Sequence, residues 1–350
     1  MPEMYDGHRV GVVIPVYNEA SFIGEVIDGL PAFVDRAYPV DDCSTDGTWS
    51  VIEQRSAVDR RERESAVESQ EWERATMTDG SHVPETRIVP VRHETNRGRG
   101  GAVKTGYRAA LDDGMDVIAV MDGDGQMNPD RLDALIDPVV SGVAEYAKGN
   151  RLGTKGLRDE MSTWRLFGNT LLTGLTRVAS GYWGMTDPQS GFTAISREAL
   201  ESLDIDALYD DYGFLNDILV RLNVHDARIA DVPVSAIYGE EESGIEYRSF
   251  VPLLSLLLAS RFVWRLRSGY SPLDFHPVAL LYGLAALSGI GGTMFALSSA
   301  TSLPVTGFLV PLVVIAACPV LVVVAFLVER RYNRDLEFDL DSDYTLDDSA

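Results

Sequence analysis

Fifty-two consecutive residues, Pro277 to Val328, carry no charge. No other feature restricts the fold of this chain as strongly. A helix rises about 1.5 Å per residue, so a hydrocarbon core of about 30 Å takes roughly 20 residues to cross. The run is expected to be two transmembrane helices, at about 277–298 and 305–328, joined by the turn from Ser298 to Pro304. Pro311 and Pro319 are expected to bend the second span, which membrane helices tolerate. Arg261, Arg265 and Arg267 precede the hairpin, and Arg330, Arg331 and Arg334 follow it. By the positive-inside rule, both flanks and both termini are expected on the cytoplasmic side of the cell membrane. Residues 246–270 hold an apolar stretch, Phe250 to Leu266, that Arg261 and Arg265 interrupt too soon to span. They read as an amphipathic helix lying in the bilayer interface. Residues 329–350 read as a cytoplasmic tail whose acidic part, from Asp335, is expected to be disordered.

Ahead of the hairpin, residues 1–245 alternate apolar runs with helical stretches. Val10 to Val16, Ala37 to Val40, Ile88 to Val91, Val117 to Met121 and Tyr146 to Asn150 read as short buried strands. Helices follow most of them. That order implies an α/β fold, a mostly parallel sheet flanked by helices and joined by right-handed crossovers. Residues 55–85 are dense in Glu, Arg, Ser and Thr and read as a charged insertion. A strand within the first ten residues leaves no expectation of a cleavable leader. Formal net charge is −23, and only three basic residues are lysine, Lys104, Lys148 and Lys155. An acidic surface poor in lysine suits a salt-rich (halophilic) cell, where ions screen self-repulsion. It offers no basic footprint, so nucleic acid is not an expected partner. Cys43 lies in a soluble motif and Cys318 in a membrane run, so no disulfide is expected.

In such sheets ligands gather at the carboxyl ends of strands. Asp41, Asp42 and Asp122 all stand at such ends. Asp122 and Asp124, one residue apart, can share a Mg2+ or Mn2+ ion, with the Gln126 carbonyl oxygen as a third ligand. The same residues would also suit a plain Asp-Gly turn. Asn96 to Gly106 is a glycine-rich turn opening a helix, where backbone N–H groups can approach phosphate.

The stretches Val12 to Glu19, Val40 to Thr48, Asn96 to Gly106, Met121 to Pro129 and Asp187 to Phe192 together resemble the ordered motif set of inverting family 2 glycosyltransferases with a GT-A fold. Within that family the chain looks most like the polyprenyl-phosphate (dolichyl-phosphate) mannose or glucose synthases. The resemblance covers about residues 10–240. It implies that Pro15, Tyr17, Glu19 and Asp42 hold the base and ribose of a nucleotide sugar. It implies that Asp122, Asp124 and Gln126 bind the cation on its diphosphate. Asp187, Gln189 and Ser190 would line the sugar pocket. Gly149-Asn150-Arg151 matches the family's Gly-Ser-Arg, with Asn for Ser. Arg151 and Arg165 would grip the phosphate of the acceptor lipid. Where mannose synthases carry a basic segment after the last strand, this chain has the acidic run Glu240-Glu241-Glu242, and Arg248 would substitute.

The chemistry points the same way. Arginine's planar fork matches phosphate, and a phosphate acceptor is already anionic near neutral pH. A hydroxyl acceptor would instead need a carboxylate base. Many family members carry a Glu-Asp pair there; here it reads Asn216-Asp217, leaving Asp217 as the candidate. The expected function is transfer of one hexose from a UDP- or GDP-sugar to polyprenyl phosphate with inversion, for glycan assembly such as protein N-glycosylation. Transfer to a hydroxyl of a lipid-linked saccharide, or an inactive membrane scaffold, remain the alternatives.

Overall fold

A computed structural model describes residues 5–68, 86–151, 163–234, 247–270, 276–299 and 309–340. Its strands are β1 (Val10–Val16), β2 (Arg36–Asp41), β3 (Val91–Arg92), β4 (Val117–Val120), β5 (Tyr146–Asn150), β6 (Thr193–Ser196), β7 (Ile229–Pro233) and β8 (Glu337–Asp339). They form one sheet in the order β3-β2-β1-β4-β6-β5-β7-β8. Strand β6 runs antiparallel to β4 and β5, and the other neighbours are parallel.

The alternation of side chains along β1 explains the layers. Val10, Val12, Ile14 and Val16 enter one core with α1 (Ile23–Asp28), while Val13 enters a second core on the other face. Each such side chain, 0–2% exposed, contributes about 1.5–3 kcal/mol relative to its exposed state. On the second face, α3 (Gly98–Asp112) presses Gly106 against Val13 so closely that any Cβ would overlap the valine. Helix α2 (Thr48–Glu68) begins where Asp46 Oδ1 accepts the Thr48 N–H at 2.9 Å, as a capping carboxylate should. Ser21, in the place of a cap for α1, does not act as one. The Phe22 and Ile23 N–H groups donate to the Glu19 carbonyl, because the loop after β1 turns too sharply for a side-chain cap.

Helices α4 (Leu132–Val140), α5 (Thr163–Ser180), α6 (Arg197–Ser202) and α7 (Phe214–Val224) complete the helical layers. Helix α8 (Tyr247–Gly269) then packs Leu254 and Leu258 onto Leu172, Ala179 and Val220. Its outer face leaves Leu253 and Leu256 exposed. The interrupting arginines do not face outward. Arg261 Nε lies 2.7 Å from Asp217 Oδ1, and Arg265 is wholly buried. These two guanidinium groups point inward because buried carboxylates and carbonyls meet them there, while Arg267 stays exposed.

Helices α9 (Pro277–Ser299) and α10 (Leu309–Tyr332) form an antiparallel hairpin, and both are long and apolar enough to cross a membrane. Small residues set their spacing. A Cβ on Gly292 would stand 2.8 Å from Ile315 Cγ1, and Gly289 abuts Cys318. Leu287, Ile290, Leu297, Leu312 and Val313 remain 65–70% exposed, unlike the side chains of a soluble core helix.

The start of the tail departs from the disorder expected of it. After a 3-10 turn at Arg334–Leu336, β8 adds to the sheet beside β7, with Ile229 facing Glu337 and Asp231 facing Asp339. Composition argued against order, but an open sheet edge and a set of unpaired N–H groups supplied partners that composition does not register. Residues 341–350 lie outside the described residues.

Candidate active site

The carboxyl ends of β1, β2 and β4 meet as expected. Asn18, at φ 59°, reverses the chain after β1, and its Oδ1 accepts the Thr45 N–H at 2.8 Å. Ser44 Oγ and Thr48 Oγ1 accept the N–H groups of Asn18 and Glu19. Two loops are thereby sewn into one rim bearing Pro15, Tyr17, Glu19 and Asp42. Tyr17 is half exposed, whereas Asp42 is buried. Asp42 Oδ1 lies 2.6 Å from His93 Nδ1 and accepts the Arg97 N–H at 2.8 Å.

Next to this rim opens a cleft lined by Asp122, Asp124, Gln126, Arg131, Arg151, Gln189 and Ser190. The antiparallel sense of β6 brings these walls together. Thr193 is in register with Val120 of β4 and Lys148 of β5, so the turn entering β6 sits where those parallel strands end. The Asp122–Asp124 stretch is a turn rather than extended chain, yet both carboxylates still reach the cleft. Asp124 Oδ1 accepts the Gln126 N–H at 2.9 Å, and Gly125 takes φ +74° to close the turn.

Two Arg–carboxylate pairs stand at the cleft. Arg99, in the glycine-rich turn, donates from Nε and Nη2 to Asp122 Oδ1 at 2.9 and 2.7 Å. Arg151 donates from Nε and Nη2 to Asp187 at 2.7 and 3.0 Å, a two-armed match. Asp187 sits in the left-handed region at φ 33°. Burial pushes its carboxyl up, but Arg151 and Lys148 outweigh that and hold it below the usual carboxylate range. Beneath, Lys148 Nζ lies 2.6 Å from Asp231 Oδ1 and also meets the Thr186 and Asp187 carbonyls. Asp231 Oδ2 accepts from both the N–H and the hydroxyl of Thr186.

Of the expected residues, Asp122, Asp124, Gln126, Arg151, Gln189 and Ser190 share the cleft, and Asp187 orients Arg151. The side chains of Arg165, in α5, and Arg248, in α8, lie outside the described residues, as does Glu240-Glu241-Glu242. Asp217 is corrected. It is fully buried, takes Arg221 and Arg261 on its carboxylate and accepts the Tyr209 N–H. Burial leaves its carboxyl above the usual range despite the two arginines. The helix start turns Asn216 toward the site, where its Oδ1 accepts from Gln189 Nε2 at 3.1 Å, and Asp217 away from it. Asp217 fastens α8 to the catalytic domain and is not presented to a substrate.

Four contributors escaped the reading of the motifs: Arg99, His93, Lys148 and Asp231. The pair Lys148 and Asp231 left a trace. A lysine inside the short strand β5 is fully buried only with a partner, and β7 presents Asp231 in register with it. Arg99 and His93 left none, since a surface arginine or histidine would look the same in sequence.

Divalent cations need oxygen donors, and Mg2+ typically takes one or two carboxylates and completes its shell with water and phosphate. Asp122, Asp124 and Gln126 fit that open type of site. Among the described residues no group of three or more His, Cys, Asp or Glu side chains is placed to hold a metal ion, so a cation here would rest on two carboxylates and other oxygens. Arg99 already supplies Asp122 with positive charge, which fits a carboxylate whose partner changes when substrate arrives.

Comparison with known proteins agrees with the architecture. A solved structure of glucosyl-3-phosphoglycerate synthase from Mycobacterium tuberculosis, in complex with Mn2+, UDP and phosphoglyceric acid, aligns with a TM-score of 0.50 at 19% identity, over 76% of this chain and 84% of that one. It supports the GT-A-like fold. The UDP-N-acetylglucosamine--dolichyl-phosphate N-acetylglucosaminyltransferase of Methanococcus voltae is 29% identical over 230 residues, 65% of this chain and 86% of that protein. The undecaprenyl-phosphate mannosyltransferase of Micrococcus luteus is 29% identical over 238 residues, 66% of this chain and 85% of that protein. The family model for Glycosyl transferase family 2 matches residues 11–204, more than half of the sequence, and the chain belongs to that family.

Proposed function

We propose that this glycosyltransferase moves one sugar from a nucleotide sugar to a polyprenyl phosphate at the membrane surface, with inversion. The observation that carries the reading is a single cleft lined both by the carboxylates Asp122 and Asp124 and by the guanidinium of Arg151. The carboxylates suit a cation-bound diphosphate, and the guanidinium suits a second phosphate. Names of relatives support the acceptor class: dolichyl phosphate in one, undecaprenyl phosphate in another.

In this reading the rim of Tyr17, Glu19 and Asp42 receives the nucleoside, and Gln189 and Ser190 receive the sugar. Asp122, Asp124 and Gln126 would hold Mg2+ or Mn2+, which when bound neutralises the departing diphosphate. Arg151, fixed by Asp187, orients the acceptor phosphate so that an oxygen faces the sugar carbon. That oxygen is already deprotonated, so the burial of Asp217 costs the reaction nothing. Arg165 and Arg248 stand as further phosphate ligands. The outward leucines of α8 would rest on the bilayer while the hairpin crosses it. Strand β8 supports placing both flanks on the catalytic side, and exposed Arg267, Arg330, Arg331 and Arg334 favour the cytoplasm. The acidic surface favours assay at high salt.

The test incubates the membrane-embedded protein with Mg2+ or Mn2+, labelled UDP- and GDP-sugars and polyprenyl phosphate. A mild-acid-labile lipid product is expected, and Asp124→Ala should remove turnover while the protein still folds. Label appearing only on preformed glycolipids would overturn the phosphate acceptor. Full turnover by Asp124→Ala would overturn the role given to Asp122 and Asp124.

A further inference from the structure

The segment that leaves the second hairpin helix does not simply end. Asn333 Nδ2 donates to the Gly181 carbonyl at 2.9 Å, and Phe326 of α10 meets Trp183 at 5.1 Å between ring centroids. Glu337 then reaches the same loop. Its Oε1 accepts the Trp183 N–H at 2.6 Å, and its Oε2 accepts those of Gly184 and, at 2.8 Å, Met185. Three successive backbone donors converging on one carboxylate make an anion nest occupied from within. A Cβ on Gly184 would stand 3.0 Å from Oε2, so this loop is shaped to admit the carboxylate.

The next residue, Thr186, is clamped by Asp231, and Asp187 follows with Arg151 on its carboxylate. Asp231 lies in β7, the strand that β8 extends. A continuous run of short contacts therefore links the end of the hairpin to the arginine in the cleft. Asp187 needs such support. A non-glycine residue at positive φ stores strain, and only surrounding contacts hold it there.

We propose that Glu337 is a positioning residue for the acceptor side of the site: by anchoring residues 183–185 it fixes the Asp187 turn and thereby the direction of Arg151. The segment after the hairpin is thus part of the catalytic unit, and a change at the membrane end of α10 reaches the cleft through it. The identity of the ligand affected rests on the polyprenyl-phosphate reading; the structural role does not.

The experiment uses the full chain in nanodiscs and compares wild type with Glu337→Ala and Glu337→Gln. Hydrogen exchange without substrate should quicken at residues 183–191 in Glu337→Ala and leave β1, β2 and β4 unchanged. Transfer assays should then show kcat/KM for polyprenyl phosphate falling about ten- to a hundredfold, the scale expected of a misplaced binding group, with KM for the nucleotide sugar within about twofold. Glu337→Gln, which keeps one acceptor oxygen, should fall between. Unchanged exchange at 183–191, or equal losses for donor and acceptor, would overturn the proposal. Were wild type to transfer nothing to polyprenyl phosphate, the proposed function would fail, and the exchange measurement would still decide for or against Glu337.

Discussion

The cleft and the junction beneath it use the same chemical pair to opposite ends. In the cleft, Arg99–Asp122 and Arg151–Asp187 keep part of their side chains in water, at 17% and 24% for the first and 38% and 6% for the second. At the junction, Arg265 and Glu329 are 1% and 0% exposed. Arg265 also donates to the carbonyls of Val178 and Ala179 and to Asn223 Oδ1, while Glu329 accepts from the hydroxyls of Tyr270 and Tyr282. A half-wet pair can exchange one partner for a substrate ion at little cost, because water screens the intermediate states. A dry pair cannot, because either charge left alone would be desolvated without compensation. Solvent access, more than residue type, separates a charge that handles ligand from one that fastens helices.

The sharpest way to break that contrast is Glu329→Ala. It should cost about 3–5 kcal/mol of stability by stranding Arg265, read as a large fall in the thermal midpoint in detergent. A loss below about 1 kcal/mol would place this pair with the exposed class. Replacing both partners by apolar residues of similar volume should restore part of the loss.

Arg99→Ala probes the other side. Stability should change by no more than about 1 kcal/mol, while the Mn2+ concentration for half-maximal turnover falls severalfold, since Asp122 loses a competing positive partner. An unchanged or higher Mn2+ requirement would show that Arg99 is not what the cation displaces.

The smallest effect concerns pH. The folded Asp187 carboxyl titrates below its unfolded value of about 3.9. Its pair with Arg151 therefore contributes stability that is fully present above about pH 4 and lost as pH falls through the lower folded value. Wild type and Asp187→Asn should show parallel thermal midpoints from pH 7 to 5, with the gap closing only in stronger acid. A gap that closes near pH 6 would contradict the pairing.

Much of the architecture was legible because it depends on local patterns. Apolar runs such as Val10–Val16 marked the strands, the uncharged stretch marked the hairpin, and the motif ends placed Asp122, Asp124, Gln126, Arg151, Gln189 and Ser190 in one cleft. Two readings failed for a shared reason. Asp217 resembled a base, and the residues after Asp335 resembled a solvated tail, because a carboxylate's sequence neighbours do not reveal its spatial partners. For Asp217 the hidden partner is Arg261, 44 positions along the chain, which joins the nearer Arg221 of its own helix. For Glu337 they are three N–H groups of a loop more than 150 positions earlier in the chain.

By itself, then, the sequence determined the strands β1, β2, β4 and β5, which helices are apolar enough for a bilayer, and which oxygen and guanidinium groups stand at strand ends. Those properties follow from periodicity, hydrophobicity and turn chemistry, all set within a few residues. Only the tertiary structure decided the antiparallel sense of β6, the inward turn of Arg261 and Arg265, and the docking of β8. The inward arginines and the docking of β8 depend on polar groups finding their complements across a long stretch of chain, and that match exists only once the chain has folded.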